Sequence, residues 1–269
     1  MSVVLVTGGS SGIGLATVRR LAAAGHGVFS ASRDPGRADL PGGVTPLVLD
    51  LADPASCRAV VASVLDAAGR LDVLVNNAGT ASLAPLEETS DDEPRRVFEV
   101  NVFGPMRVAT AAVPVMRAQG GGRILNVTSE NDVAPAPFGG WYSASKAALA
   151  SASTVLDAEV HGFGIFVTVV APGLFLTPMA RSLSSYGVSS VSPYGAAFDS
   201  MRKQAVQGVD QAGDPDDVAR AIEDCMSAAE PPARLVVGDD AQEMEKTVRT
   251  SGPEDIARIL REYVASLTA

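Results

Sequence analysis

Tyr142 and Lys146 stand four residues apart in Tyr142-Ser143-Ala144-Ser145-Lys146, at the start of a segment with helical character. On a helix that spacing puts the phenol and the ammonium on one face. A free phenol has a pKa of about 10, too high for easy proton exchange at neutral pH, and a neighbouring cation stabilises the phenolate. Thirteen residues upstream, Ser129 closes a short apolar run. If that run is a strand, its carboxyl end opens toward a ligand. Taken alone, a Tyr-x-x-x-Lys pair is common by chance and as readily structural.

A second constellation lies at the chain start. Thr7-Gly8-Gly9-Ser10-Ser11-Gly12-Ile13-Gly14 follows an apolar run and opens a helical pattern. A phosphate needs unshielded backbone N–H groups, and glycines with a helix N-terminus provide them. Gly8, Gly12 and Gly14, with the intervening Ser11 and Ile13, read as a dinucleotide pyrophosphate site, and Ser10 as a second phosphate contact. The next apolar run ends in Ser30-Ala31-Ser32-Arg33. A site for NAD usually offers an acid there for the ribose 2′-hydroxyl. Ser32 and Arg33 instead suit a 2′-phosphate, which favours NADP over NAD. Arg33 could also be a solvated loop charge beside Asp34.

The elements that must position these residues alternate. Short apolar runs at residues 3–6, 27–31, 46–49, 71–75, 123–128, 165–170 and 234–237 are too short for helices. Most are flat in period, as strands covered on both faces are. Helical patterns separate them, at 13–24, 57–67, 142–160 and 214–228. Asp53-Pro54 and Asp214-Pro215 look like caps followed by an N1 proline. Ser90-Asp91-Asp92-Glu93 reads as a capping box opening one long helix to about Arg117. The expected fold is α/β, a Rossmann-type doubly wound parallel sheet of about seven strands in a single domain. Residues 174–213, serine-rich at 182–192, are a lid candidate or an ordinary surface helix pair. Residues 239–269 form a helical tail.

Composition bounds the partners. The 269 residues carry a formal net charge of −10, from 31 acidic and 21 basic side chains. Nucleic-acid binding is unpromising for an acidic chain, and so is an acidic membrane surface. Residues 160–180 lack Asp, Glu, Lys and Arg, but Pro172, Gly173 and Pro178 break the stretch, so a buried strand and turn are expected. Cys57 and Cys225 offer neither a disulfide framework nor zinc spacing, and a reduced cytoplasmic protein is expected. His26 and His161 have no ligand cluster around them, so no metal is expected. The scarcity of lysine beside abundant arginine suggests a GC-rich bacterial genome.

Together the motifs resemble the short-chain dehydrogenase/reductase family. Thr7–Gly14, Asp50-Leu51, Asn76-Asn77-Ala78-Gly79, Asn101, Ser129, Tyr142-x-x-x-Lys146 and Pro172-Gly173-x-x-x-Thr177 occur in that family's order. Arg33 and Trp141-Tyr142 look most like the NADP-preferring branch that contains 17β-hydroxysteroid dehydrogenases, and residues 231–238 like its bacterial members. The resemblance implies that Tyr142 exchanges the proton with a carbonyl oxygen, that Ser129 holds that oxygen, and that Lys146 binds the nicotinamide ribose and depresses the Tyr142 pKa. Asn101 would hold a water on the proton path, or satisfy a helix distortion. Asp50 and Leu51 would contact adenine. Asn77, Ala78 and Gly79 would line the adenosine side, and Pro172, Gly173 and Thr177 the nicotinamide end.

Ser129 is followed by Glu130-Asn131-Asp132, where small residues are more usual in the family. Asn131 could hydrogen-bond a polar substrate group or satisfy the loop backbone. Glu130 and Asp132 are expected as surface or loop charges, and Asp239, Asp240, Glu243 and Glu245 as a helix N-terminus and its solvated face. Phe138, Trp141, Phe175 and Met179 could wall an apolar pocket or be plain core.

The expected activity is NADP(H)-dependent reduction of a ketone, or oxidation of a secondary alcohol, on a hydrophobic small molecule. The alternatives are epimerisation, dehydration or cyclisation with bound cofactor, and a cofactor-sensing binding module. Small residues along 143–153 suggest a homodimer, or close packing within one chain.

Overall fold

Parallel strands cannot be joined by tight turns, so each pair needs a crossover, usually a helix. That requirement shapes the computed structural model, which describes residues 1–268. Its strands are β1 (Val3–Thr7), β2 (Gly27–Ser32), β3 (Thr45–Val48), β4 (Val73–Asn76), β5 (Gly122–Val127), β6 (Ile165–Pro172) and β7 (Arg234–Val237). They form one sheet in the order β3-β2-β1-β4-β5-β6-β7. Every pairing is parallel. The order reverses beside β1, which makes the crevice at its carboxyl end a natural ligand site.

The helices are α1 (Gly12–Ala23), α2 (Pro54–Ala68), α3 (Asp92–Phe98), α4 (Gly104–Gln119), α5 (Gly140–Val160), α6 (Pro178–Arg181), α7 (Gly195–Val209), α8 (Pro215–Ser227), α9 (Asp239–Thr250) and α10 (Pro253–Ser266). Successive strand residues face opposite layers. Leu5 and Leu74 pack on the side of α2 and α4 with Val60, Val64 and Met116. Val4, Val6, Val73 and Val75 pack on the side of α1 and α8 with Val18, Leu21, Val218 and Ile222. Each such side chain fully buried contributes about 1.5–3 kcal/mol. The central strands therefore show no alternation of polarity, whereas the edge strand β3 is mostly exposed.

Two expectations about helix ends meet different outcomes. Asp53 and Asp214 cap as expected, their carboxylates accepting from Ala55 N and Asp216 N. The capping box at Ser90 does not form. Helix α3 begins at Asp92 without a side-chain cap, and Glu93 pairs with Arg96 instead. Nor is there one long helix: a π-helical segment, Glu99–Phe103, separates α3 from α4. There Asn101 is buried, accepting from Thr80 N at 2.8 Å and donating to Thr80 O and to Ser145 Oγ.

A buried polar ladder ties the sheet to α5. Asn76 Nδ2 donates to Asn126 Oδ1 on the neighbouring strand at 2.9 Å, and Asn126 Nδ2 donates to Ser153 Oγ at 2.8 Å. Buried amides left unpaired would be costly. These bonds therefore help set α5, with Tyr142 and Lys146, against the end of β5, where Ser129 follows.

Residues 174–213 contain α6 and α7. Phe198 and Met201 of α7 bury with Leu267, and Phe138, Tyr186 and Tyr263 pack around them. The tail thus returns onto this segment. Tyr194 Oη donates to Glu87 Oε1 and Ser192 Oγ to Glu88 Oε1, each at 2.6 Å, which fastens the segment to the loop before α3.

Candidate active site

Because the strands are parallel, β1, β2, β4, β5 and β6 release their chains at one edge of the sheet. A cleft of about 950 Å³ lies along that edge. Its lining includes Gly8, Ser10, Ser11, Gly12, Ile13, Ser32, Arg33, Asp50, Leu51, Asn77, Ala78, Gly79, Ser129, Asn131, Tyr142, Lys146, Pro172, Gly173, Phe175, Thr177 and Met179.

Four expected site residues do not line it. Gly14 packs against the turn: a Cβ there would stand 2.3 Å from Gly8 O. Asn101 lies behind the wall with both amide hydrogens committed, which fits the alternative of satisfying a helix distortion. Phe138 turns away, with φ of +63°, and stacks edge-on against Phe198 at 5.5 Å. Trp141, first in α5 after Gly140, is also absent from the cleft wall. Phe138 was drawn into the neighbouring core instead.

The structure adds residues that local patterns could not reveal. Arg37 and Asp34 join Arg33 after β2, and Thr80, Leu83 and Arg96 also line the cleft. Met201 and Ala205 come from α7, and Tyr263 from α10.

The glycine end has the chemistry of an anion cradle. Gly8 and Gly12 take φ of +70° and +53°, which side chains with a Cβ rarely adopt. Ser11, at the α1 N-cap, makes no side-chain bond to the helix, so the first N–H groups of α1 face the cleft uncapped. Thr7 Oγ1 accepts from both Asn77 N and Ala78 N at 3.1 Å, fixing the β4 turn against the glycine turn. Ser32 Oγ is buried with no hydrogen-bond partner in the protein. These features fit a dinucleotide whose phosphates meet α1 and whose ribose meets Ser32.

At the other end Ser129 is buried and its Oγ accepts from Asn131 N at 3.2 Å. Lys146 is buried, and its Nζ donates to Val127 O at 3.0 Å and lies 5.7 Å from the Tyr142 ring centre. Burial pushes the Tyr142 phenol up to about 12, with the Ser129 hydroxyl opposing the rise and the charges of Glu130 and Asp132 adding to it. Burial brings the Lys146 ammonium down to about 8. Desolvation dominates the phenol, and the Lys146 ammonium is turned toward the Val127 carbonyl.

The charges after Ser129 are not surface charges. The Asp132 side chain is 0% exposed, and its oxygens accept from Arg234 of β7 at 2.8 and 2.9 Å. Arg234 also donates to Glu245 of α9 at 2.8 Å. Glu245 thus departs from a solvated face, whereas Asp240 stays exposed while accepting from Leu174 N at 2.7 Å. Glu130 lines the cleft, and burial, with the charge of Asp240, pushes its carboxyl up to about 7. Among the described residues no group of three or more His, Cys, Asp or Glu could hold a metal, and no helix is long and apolar enough to cross a membrane.

A parallel sheet with this crevice and a Ser–Tyr–Lys wall defines a dinucleotide-binding oxidoreductase fold. The chain belongs to the short chain dehydrogenase family, whose pattern matches residues 2–186. It is 39% identical over 175 residues to a 3-ketodihydrosphingosine reductase of Bacteroides thetaiotaomicron, covering 65% of this chain and 64% of that protein. Among solved structures, a short-chain dehydrogenase from Streptomyces avermitilis superposes with a TM-score of 0.82 at 35% identity, covering 97% of this chain and 95% of the other. An actinorhodin polyketide ketoreductase with NADPH superposes with a TM-score of 0.75 at 29% identity, covering 88% of this chain and 95% of the other.

Proposed function

We propose that this chain is an NADP(H)-dependent ketoreductase acting on the carbonyl of a hydrophobic small molecule, or in reverse on the secondary alcohol. The observation that carries this proposal is the shared cleft: Ser129, Tyr142 and Lys146 line it together with the uncapped start of α1 and with Arg33. The named activities of the reductase relatives support the reaction class. The NADPH held by the actinorhodin ketoreductase is compatible with the cofactor.

When bound, the nicotinamide supplies or accepts hydride. The chain's own residues do the rest. The glycine turn and α1 would hold the pyrophosphate, and Ser32 with Arg33 the ribose 2′-phosphate. Asp50 and Leu51 would face adenine, and Asn77, Ala78 and Gly79 the adenosine side. Pro172, Gly173 and Thr177 would shape the nicotinamide end. Ser129 would donate to the substrate oxygen, and Tyr142 would give that oxygen its proton. Lys146 would hold the nicotinamide ribose, and its engagement there would bring positive charge toward the phenol. Asn101 is a positioning residue, tying Thr80 to α5 through Ser145. Phe175, Met179 and Asn131 would meet the substrate, under a lid of residues 174–213 fastened by the tail.

Incubation with NADPH and a panel of ketones should consume NADPH with at least one apolar ketone, and no consumption across the panel would refute the proposal. Arg33→Ala should raise the KM for NADPH about 10- to 100-fold while leaving that for NADH within about threefold, as expected for loss of a charge-assisted bond. An equal change for both cofactors would remove Arg33 from phosphate recognition.

The small residues of α5 divide: Ser143, Ser145 and Ser153 are buried within the chain, whereas Ala144 and Ser151 are exposed. The exposed face of α5 is where a homodimer is proposed. Light scattering at micromolar concentration should give twice the chain mass, and a monomer would reject it.

A further inference from the structure

The chain leaving β6 borders the cleft over residues 173–177, and Gly173, Leu174, Phe175 and Thr177 all line it. At the far end this segment packs on the glycine turn, so closely that a Cβ on Gly12 would stand 3.1 Å from Thr177 Cγ2. At the near end Gly173 N donates to Val237 O at 2.9 Å. The next donor, Leu174 N, has no strand partner, because β7 ends at Val237. The Asp240 carboxylate of α9 takes it instead, at 2.7 Å. Leu174 O accepts from Gly213 N at 3.0 Å, and Leu176 N donates to Gly213 O at 2.9 Å. Of these bonds only the one to Asp240 is made by a side chain, and a carboxylate accepting an N–H is the stronger kind.

Two glycines admit that carboxylate. A Cβ on Gly173 would collide with it, and so would one on Gly238. Gly238 also takes φ of +107°, which turns the chain from β7 into α9 and brings Asp240 back over Gly173. The same helix reaches the opposite wall: Glu245 holds Arg234, which holds Asp132 in the turn after Ser129. Helix α9 thus braces both the segment after β6 and the turn after β5, although none of its residues lines the cleft.

We propose that Asp240 is a positioning residue for the cofactor: its bond to Leu174 N fixes residues 173–177 against the glycine turn and so shapes the nicotinamide end of the cleft. The ligand that gains from it is a full dinucleotide. A nucleotide that ends at the adenosine ribose gains nothing. This deepens the ketoreductase proposal and rests on it for the place of the nicotinamide.

The test compares NADP with adenosine 2′,5′-bisphosphate, which carries the adenosine end alone, by calorimetry on the full chain. Asp240→Ala should raise the Kd for NADP about 5- to 20-fold, the scale of one charge-assisted bond, and change that for the bisphosphate less than about twofold. Asp240→Asn keeps an oxygen that can accept from Leu174 N, and should return the Kd for NADP to within about threefold of wild type. Hydrogen exchange at the Leu174 amide gives a readout without any ligand: it should quicken at least about tenfold in Asp240→Ala and stay slow in Asp240→Asn. Wild-type NADP affinity in Asp240→Ala, equal weakening of both nucleotides, or an Asn variant no better than the Ala variant overturns the proposal. None of these measurements needs turnover. If the pattern holds while no ketone is reduced, the ketoreductase proposal fails and the positioning role stands. If ketones are reduced while Asp240→Ala binds NADP as wild type does, the positioning role fails and the ketoreductase proposal stands.

Discussion

Tyr142→Phe will lower kcat for ketone reduction by about 10²–10⁴-fold, the usual contribution of a positioned general acid. The substitution removes one hydroxyl and leaves the ring that packs beside Lys146, so thermal stability and cofactor KM should stay close to wild type. The loss should fall on kcat and kcat/KM alike, because the proton moves only in the transition state. The pH dependence follows from the phenol's pKa of about 12. Reduction needs the protonated phenol, which is present throughout the neutral range, so its rate should be flat from about pH 6 to 8. Oxidation needs the phenolate, whose fraction grows about tenfold per pH unit below the pKa, so its rate should climb across the same range. Steady-state kinetics in both directions checks this. A Phe variant retaining more than a tenth of wild-type kcat, or an oxidation rate that falls with rising pH, would remove Tyr142 from the proton transfer.

Asp132→Ala should destabilise the fold by about 3 kcal/mol, at the low end for breaking a buried ion pair. The low end applies because Arg234, 20% exposed, keeps Glu245 as a second partner. For a chain of this size that is roughly a 6–12 °C fall in Tm. Denaturant unfolding of the single and double variants at Asp132 and Arg234 measures the coupling. Replacing both by leucine should recover much of the loss, since apolar pairs often substitute for buried ions without cost. The same bonds anchor the turn that carries Glu130 and Asn131, so KM for substrate should rise in Asp132→Ala while cofactor KM stays put. A destabilisation below about 1 kcal/mol would show that the pair contributes little.

The physical reach of each signal explains what could be read early. Short, mostly apolar runs such as 71–75 and 165–170 pointed to the parallel sheet because strands covered on both faces do not alternate in polarity. The glycine turn was legible because positive φ and an open helix N-terminus are properties of a few consecutive residues. Ser129, Tyr142 and Lys146 were legible only through the joint order of the family's motifs, since a Tyr-x-x-x-Lys pair by itself is as readily structural. Ser90 misled, because a capping box is only a composition until the backbone turns there, and here Glu93 found Arg96. Asp132 misled because its partner is Arg234, about a hundred positions later, and no local pattern pairs them. Phe138 misled because an aromatic beside a cleft is attracted equally by the core of α7 and the tail.

By itself, then, the sequence determined the family and the parallel α/β sheet, and it pointed to the residues proposed for the cofactor turn and the catalytic wall, all of which depend on neighbouring residues and on the order of motifs. The tertiary structure decided which side chains share the cleft. Gly14, Asn101, Phe138 and Trp141 left it, Arg37 and Tyr263 entered it, and Asp132 was neutralised while Glu130 was left unpaired. Burial and long-range pairing are set only when distant segments meet, and they govern how each of these charges behaves.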